Sequence, residues 1–357
     1  MNILVVHQDF NPTSGGGHTL QAAILRELHH HTSDKFKVIT APQSIINSET
    51  AKYILQNFNI DLVWYLYPGK NLFRAPYFST IWDLSHRAYP VFPEVTHDGW
   101  TFDHREEIYR SLLSSLRIFT GTEILKQELC NAYGFEPKRI IVNPFPAPHP
   151  LALNKAIDPR FRTLPSSEVR LLIYPAQFWP HKNHATLLKA LLVLRERSGK
   201  TDRRYTLHFT GSDKGNEPYV RQLAQSLCLS NDVIFHGFVE EDTLFSLYDR
   251  AFALIYPSLF GPDNLPPLEA MSRGCPVLTA DIEGAREVYS DAAIYFDPLD
   301  PLSIAEAAYL LEDDTLRAHL IERGNSVSSE RTVTKYVRNV VSEIFSVSNY
   351  FPLYKKI

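Results

Sequence analysis

Twice along the chain, short apolar runs alternate with helix-patterned segments, and a proline-rich stretch divides the two series. Ile3–Val6, Phe36–Thr40, Asp61–Leu66, Phe78–Trp82, Arg117–Thr120 and Arg139–Val142 form the first series of strands. Near-continuous apolar runs of this kind belong to strands covered on both faces. Helical patterns at Thr19–His29, Glu106–Leu116 and Glu123–Tyr133 fall between them. Asn143-Pro144-Phe145-Pro146-Ala147-Pro148-His149-Pro150 follows. Its prolines cannot donate to a central ladder, so it reads as a linker. The alternation then restarts with Arg170–Tyr174, Tyr205–Thr210, Val233–His236, Phe252–Ile255, Pro276–Thr279 and Ala293–Phe296, with helices such as Asn183–Arg195 and Pro218–Ser226 between. The expectation is an α/β protein with parallel sheets in two units, 1–150 and 151–330, and ligands at the carboxyl ends of the strands. The remaining segment, 331–357, begins an amphipathic helix at Val333 that runs to about Phe345. A length of 357 residues suits two domains.

Charge and cysteine content exclude several classes. Lys plus Arg is 36 and Asp plus Glu 40, a net charge of −4, and no basic block stands out. That disfavours a general nucleic-acid binder. Cys130, Cys228 and Cys275 are scattered, so neither a disulfide framework nor a paired zinc motif is visible. No apolar run approaches the ~20 residues of a membrane span. Met1-Asn2-Ile3-Leu4-Val5-Val6-His7 is too short and uncharged for a secretory signal, and the reading is a cytoplasmic protein. His29-His30-His31 is explained as readily by a helix C-terminus, where cations are favoured, as by a metal.

Chemistry concentrates in the loops that follow strands. Tyr256-Pro257-Ser258-Leu259-Phe260-Gly261-Pro262-Asp263-Asn264-Leu265-Pro266-Pro267-Leu268-Glu269-Ala270-Met271 leads from an apolar run into a helix whose start suits its prolines. Free amides at such a start attract an anion. Glu269, in or near the first turn, can accept from sugar hydroxyls or simply complement the helix dipole. Pro175-Ala176-Gln177-Phe178-Trp179-Pro180-His181-Lys182-Asn183-His184 places a lysine where the next helix starts, either to hold an anion or as a solvated charge. Gly15-Gly16-Gly17, after the first strand, lets a backbone approach a ligand closely. Its spacing is not Gly-x-Gly-x-x-Gly, which argues against a dehydrogenase. Trp82-Asp83-Leu84-Ser85-His86-Arg87 starts at a strand end, and His86 can be a packed histidine or a site residue. Beyond it Tyr89, Phe92, Trp100, Phe102 and His104 form an aromatic segment that could face a sugar acceptor or pack a loop.

The Pro257–Val277 stretch resembles the nucleotide-sugar loop of retaining glycosyltransferases of the GT-B type, family four of the group 1 enzymes, mannosyltransferases among them. That family's pattern is Glu-Gly-Phe-Gly-Leu-Pro-x-x-Glu, then Ala and Gly-x-Pro-Val. Leu265, Pro266, Glu269, Ala270 and Gly274-Cys275-Pro276-Val277 match it, and Gly261 stands where the first Glu normally sits. The resemblance implies two Rossmann-like domains facing a central cleft. The first binds the acceptor, the second the nucleotide sugar, and the C-terminal helix crosses back to the first. It makes Glu269 the ribose ligand, and Asp263 or Asn264 the group that meets the donor sugar in place of the family's first Glu. It makes Lys182 one of a diphosphate-gripping pair, with Gln177 in the place of the family's Arg. Asp83 keeps half of the family's His-Asp pair; Trp82 replaces the His, and His86 is the nearest imidazole. Lys182, His86 and Asp83 are therefore the catalytic candidates. Gly15, Gly16, Gly17, Gly211 in its strand-end turn, and Phe238 and Val239 beside the base complete the donor site with Gly261 and Leu265.

The expected activity is retaining transfer of a hexose, mannose for example, from a nucleoside-diphosphate sugar to a glycan or lipid-linked acceptor in cell-surface polysaccharide synthesis. It needs no further cofactor and no nucleic acid, and it is expected to work at the inner face of the membrane. A non-catalytic nucleotide-sugar-binding subunit is the second reading, since Gly261, Gln177 and Trp82 depart from the pattern; an epimerase on the same frame is a third. No Asp-x-Asp pair is present to hold a nucleotide-bound divalent ion. Transfer should accordingly survive EDTA; turnover abolished by the chelator and restored by Mg²⁺ or Mn²⁺ would refute this.

Overall fold

The computed structural model describes residues 1–9, 16–32, 36–95, 101–147, 169–198, 203–261 and 263–354. The chain divides into two units, Met1–His149 with Arg331–Ile357, and Pro150–Glu330. The first holds strands β1 (Asn2–His7), β2 (Lys37–Pro42), β3 (Leu62–Tyr65), β4 (Tyr77–Thr80), β5 (Arg117–Thr120) and β6 (Ile140–Val142). They form one parallel sheet in the order β2-β1-β3-β4-β5-β6. Its helices are α1 (Gly16–His30), α2 (Ser48–Phe58), α3 (Ser85–Ala88), α4 (Phe102–Ser111) and α5 (Glu123–Tyr133). The apolar runs are strands because both faces are covered. Leu4, Val6, Val63 and Ile118 lie in the core with Leu125 and Leu129 of α5, each such side chain contributing ~1.5–3 kcal/mol by leaving water. Trp64 is also enclosed, its indole N–H donating to Thr80 Oγ1 at 3.1 Å.

The helix expected over Glu106–Leu116 is displaced: α4 already begins at Phe102 and ends at Ser111. Thr101 caps it, its Oγ1 accepting from the His104 N–H at 3.2 Å, and this hydroxyl satisfies a first-turn amide that would otherwise lack a partner. Phe102 and His104, read as part of an aromatic loop, are thus helical. Trp82, placed at a strand end by the sequence, lies two residues beyond β4.

The second unit repeats the architecture. Strands β7 (Val169–Pro175), β8 (Arg204–Thr210), β9 (Val233–Phe235), β10 (Ala253–Tyr256), β11 (Val277–Ala280) and β12 (Ala293–Phe296) are parallel in the order β12-β11-β10-β7-β8-β9. Counted from β7, this is the 3-2-1-4-5-6 order of dinucleotide-binding sheets. Its topological switch point lies between β7 and β10, where successive connections leave in opposite directions. Helices α6 (His184–Ser198), α7 (Glu217–Ser226), α8 (Glu241–Arg250), α9 (Leu265–Ser272), α10 (Ala285–Tyr289), α11 (Pro301–Leu310) and α12 (Asp314–Glu330) fill the connections.

The last long helix, α13 (Val333–Val347), packs on α1 of the first unit. Thr332 caps it, and Tyr336, Val337, Val340, Ile344 and Val347 form its buried face, the spacing of an amphipathic stripe. Asn143 fastens it from β6: its amide donates to Tyr336 O at 3.1 Å and its carbonyl accepts from Asn339 Nδ2 at 3.0 Å.

Gly211, immediately after β8, has φ +140, and a Cβ built there would stand 2.3 Å from the Ala176 carbonyl oxygen. Backbone meets backbone at that point, so no rotamer change can relieve the contact. Gly211→Ala should destabilise the second unit by about 3 kcal/mol or more, combining the left-handed strain with the collision; thermal unfolding of the variant checks it, and an unchanged melting temperature would contradict it.

Candidate active site

The second unit's switch point is where the singled-out residues gather. After β7, Pro180–Lys182 makes one 3-10 turn and Asn183 takes φ +59, turning the chain into α6. Asn183 is 8% exposed, and its amide donates to the Pro257 carbonyl at 3.2 Å and the Pro298 carbonyl at 2.7 Å. Tyr174 OH donates to Lys182 O at 2.6 Å, and Leu259 N–H donates to His181 O at 2.9 Å. The His181 ring stacks on Phe260 with centroids 4.1 Å apart. The loops after β7 and β10 are thereby clipped together, and the Lys182 backbone is held on both sides. Its ammonium donates to Asn264 Oδ1 at 2.9 Å, Ser258 Oγ at 3.3 Å and Tyr256 OH at 3.4 Å. Lys182 is therefore half-buried and anchored between the two strand ends rather than a solvated charge.

The β10 loop is shaped around that lysine. Gly261 turns with φ +82, and the Asn264 amide N–H donates back to its carbonyl. The Asn264 main-chain carbonyl accepts from Tyr289 OH at 2.9 Å. Asn264 is the residue before α9 and its amide oxygen is aimed at Lys182; Asp263 is half-buried in the turn ahead of it. Leu265, the first residue of α9, is buried, and Glu269 is the fifth, just past the first turn. Glu269 is 7% exposed, unlike a solvated acidic cap, and Tyr248 OH donates to its Oε2 at 3.0 Å. Burial pushes the carboxyl up to about 7, against the Tyr248 hydrogen bond and with help from Glu241.

Neighbouring strand ends carry the remaining donor-site candidates. Gln177 donates to Ser212 Oγ at 3.3 Å and accepts from Trp179 Nε1 at 2.9 Å. Gly211 N–H donates to Gly237 O at 2.8 Å, joining the loops after β8 and β9. Phe238 follows with 43% exposure, and Val239 is half-buried. Sequence reasoning singled out neither the buried Asn183, Tyr248 and Tyr289 nor Ser258. Asn183 at the loop-helix junction was the one local signal, since Asn tolerates left-handed backbone.

In the first unit Gly16 and Gly17 are not a loop but the first residues of α1, while Gly15 lies outside the described residues. The Trp82 ring lies near Gly17, stacks on Phe145 at 5.3 Å and donates to Leu66 O at 3.1 Å. Asp83 accepts from Ser85 N at 2.8 Å and Arg105 Nη2 at 3.1 Å. Burial alone would raise its carboxyl, but the Arg105 charge and the Ser85 bonds hold it below the ordinary range. His86, offered as a catalytic candidate, is instead a packed residue with no exposed surface. Its Nε2 lies 3.0 Å from Glu106 Oε1, and its ring lies against Tyr109 at 5.0 Å. Burial, then Arg105, lowers its pKa and favours the neutral ring. The physical reason is Glu106, which Arg87 grips through two 2.6 Å bonds and which anchors the imidazole inward.

Among the described residues, no group of three or more His, Cys, Asp and Glu could hold a metal ion, and no helix is long and apolar enough to cross a membrane.

An O-antigen chain mannosyltransferase B of Escherichia coli is 28% identical over 228 residues, 61% of this chain and 58% of that protein. An O-antigen chain mannosyltransferase of Salmonella typhimurium is 31% identical over 134 residues, 38% of this chain and 36% of that protein. The chain spans about half the length of the curated relatives it matches. Sucrose-phosphate synthase from Thermosynechococcus elongatus superposes with a TM-score of 0.75 at 16% identity, covering 97% of this chain and 99% of that one. Anabaena HepE in complex with UDP-glucose gives 0.73 at 17%, covering 97% and 100%. At these identities the likeness speaks for the fold, two α/β units of the GT-B type. Residues 158–327 match the model of the glycosyl transferases group 1 family.

Proposed function

We propose that the protein is a retaining glycosyltransferase that moves a hexose from a nucleoside-diphosphate sugar to a glycan or lipid-linked acceptor. The observation that carries this reading is the Lys182 ammonium, anchored by Asn264, Ser258 and Tyr256 at the switch point of a dinucleotide-type sheet. Anionic ligands of such sheets bind outside the carboxyl ends of the strands at that point. The mannosyltransferase relatives in O-antigen chains support mannose as the sugar and cell-surface polysaccharide synthesis as the setting. The UDP-glucose held by a protein of the same fold supports a nucleotide-sugar donor.

In the proposed reaction the bond between the sugar's anomeric carbon and the diphosphate breaks, and its electron pair stays on the diphosphate oxygen. The acceptor hydroxyl adds from the same face and passes its proton to that oxygen. In the sequence no carboxylate pair stands out for a double displacement, which favours this front-face route. Negative charge grows on the leaving diphosphate, so a fixed cation beside it binds the transition state more tightly than the ground state. Lys182 is proposed to be that cation, with the main-chain amides at the start of α9 beside it. Glu269 is proposed to accept from the ribose hydroxyls. The donor site needs no further cofactor in this scheme.

Lys182→Ala should lower kcat by about 10²–10³, the scale for removing one electrostatic stabiliser, and weaken nucleotide binding by a smaller factor. Lys182→Arg should recover part of the loss, because it keeps charge but not shape. Steady-state kinetics and nucleotide titration decide it: near-normal turnover in Lys182→Ala refutes the role, and tight nucleotide-sugar binding with no transfer or hydrolysis by the native protein would make it a non-catalytic binder.

Glu269→Gln tests the second contact. A buried carboxyl raised from 4.5 to about 7 is protonated more readily folded than unfolded, so it costs stability as pH rises through that window, and the cost persists above 7. The variant should bind nucleotide more weakly yet be more stable than the native apo protein at pH 8 by up to about 3 kcal/mol, and so melt higher, with the gap closing near pH 4.5. Equal melting temperatures at pH 8 would contradict it.

A further inference from the structure

Resting on the proposed role of Glu269, we propose that Tyr248 is a positioning residue for the nucleoside: its phenol holds one oxygen of the Glu269 carboxylate and keeps that group ionised for the ribose hydroxyls. Tyr248 lies on α8 with 1% exposure, and its hydroxyl reaches across to α9. A buried tyrosine must place its O–H on an acceptor, and Glu269 Oε2 at 3.0 Å is that acceptor. A phenol that donates stabilises the carboxylate and not the carboxylic acid, whose oxygen is the poorer acceptor. The proton stays on the phenol, because burial and then the adjacent Glu269 charge raise the Tyr248 pKa far above its ordinary value.

Among the described residues, the groups that act on the pair work in the opposite sense or stay neutral. Glu241, on the same helix as Tyr248, repels the carboxylate. Tyr256 on β10 is buried and kept neutral, first by burial and then by Glu269 itself. Cys275, which acts on Tyr248, is pushed up to about 12 by burial and is also neutral. From α12, which packs on α9, Gly324 comes against Met271, an apolar contact. Burial and Glu241 thus drive the carboxyl towards its protonated form, and the Tyr248 hydrogen bond holds it near the point where half is charged. A ribose diol donates two O–H groups, which a carboxylate can accept and a carboxylic acid accepts less well. Nucleotide affinity is therefore set by pH through Glu269, and Tyr248 sets the pH at which it turns on.

The test titrates UDP-glucose and GDP-mannose against the native protein and Tyr248→Phe from pH 6 to 9, with both repeated in a Glu269→Gln background. Such diphosphate diesters keep their charge across that range, so the slope reports the protein. Native affinity should rise through pH 7. Losing one hydrogen bond to a charged group should move the rise upward by about one to two pH units. Tyr248→Phe should accordingly bind about fivefold or more weakly at pH 7 and within about twofold of native at pH 9. In Glu269→Gln the tyrosine should have no effect on the slope. A loss equal at every pH, or a shift that survives Glu269→Gln, would show a merely structural tyrosine and overturn the proposal. If neither sugar nucleotide binds the native protein at any pH, the donor reading itself fails. The apo proteins then decide the Tyr248 claim separately. The pH window over which stability falls relative to the matching Glu269→Gln protein should extend to higher pH in Tyr248→Phe, and an unchanged upper end overturns it.

Discussion

At the second unit's switch point, Asn183 ties two loops together. One side chain satisfies two carbonyls, of Pro257 and Pro298, that belong to loops after different strands. The same residue turns the backbone through φ +59, so the chain leaves β7 and enters α6 without a further loop. That clip adds to the Leu259–His181 hydrogen bond and the His181–Phe260 stack in holding the β10 loop against the β7 loop, where the three acceptors around the Lys182 ammonium converge. A lysine side chain is entropically expensive to hold still, and here the cost is offset by a main chain pinned through Tyr174 and Leu259.

Charge at this face is handled by two opposite means. Lys182 stays partly accessible and is surrounded by polar oxygens. Glu269 is instead buried, where its ionisation is costly and is supported by the Tyr248 phenol. The second arrangement makes the charge sensitive to pH near neutrality.

The strands were legible because the sheets are parallel and covered on both sides. Runs such as Ile3–Val6 and Phe252–Ile255 must be apolar throughout, whatever the rest of the chain does. Lys182, Asn264 and Glu269 were legible as types at strand-end positions. Their surroundings were not, because the contacts that define them join residues far apart in the chain: Lys182 to Asn264, Asn183 to Pro298, Tyr248 to Glu269. His86 shows the limit most plainly. A histidine near a strand end looks the same in sequence whether it faces a ligand or, as here, Glu106 on the next helix. The start of α4 was missed for a local reason, since Thr101 was not weighed as a cap.

The first unit is discontinuous: its sheet and α1 come from Met1–His149, but α13 arrives only after Pro150–Glu330. The apolar face of α1 that α13 covers is synthesised early and covered late. At ribosomal rates of about 5–20 residues per second, the roughly 300 residues between α1 and α13 leave it waiting some 15–60 s. The second unit, one continuous stretch, has no such wait. Maturation of this protein thus runs against chain order, the later-made half completing itself before the earlier-made half is closed.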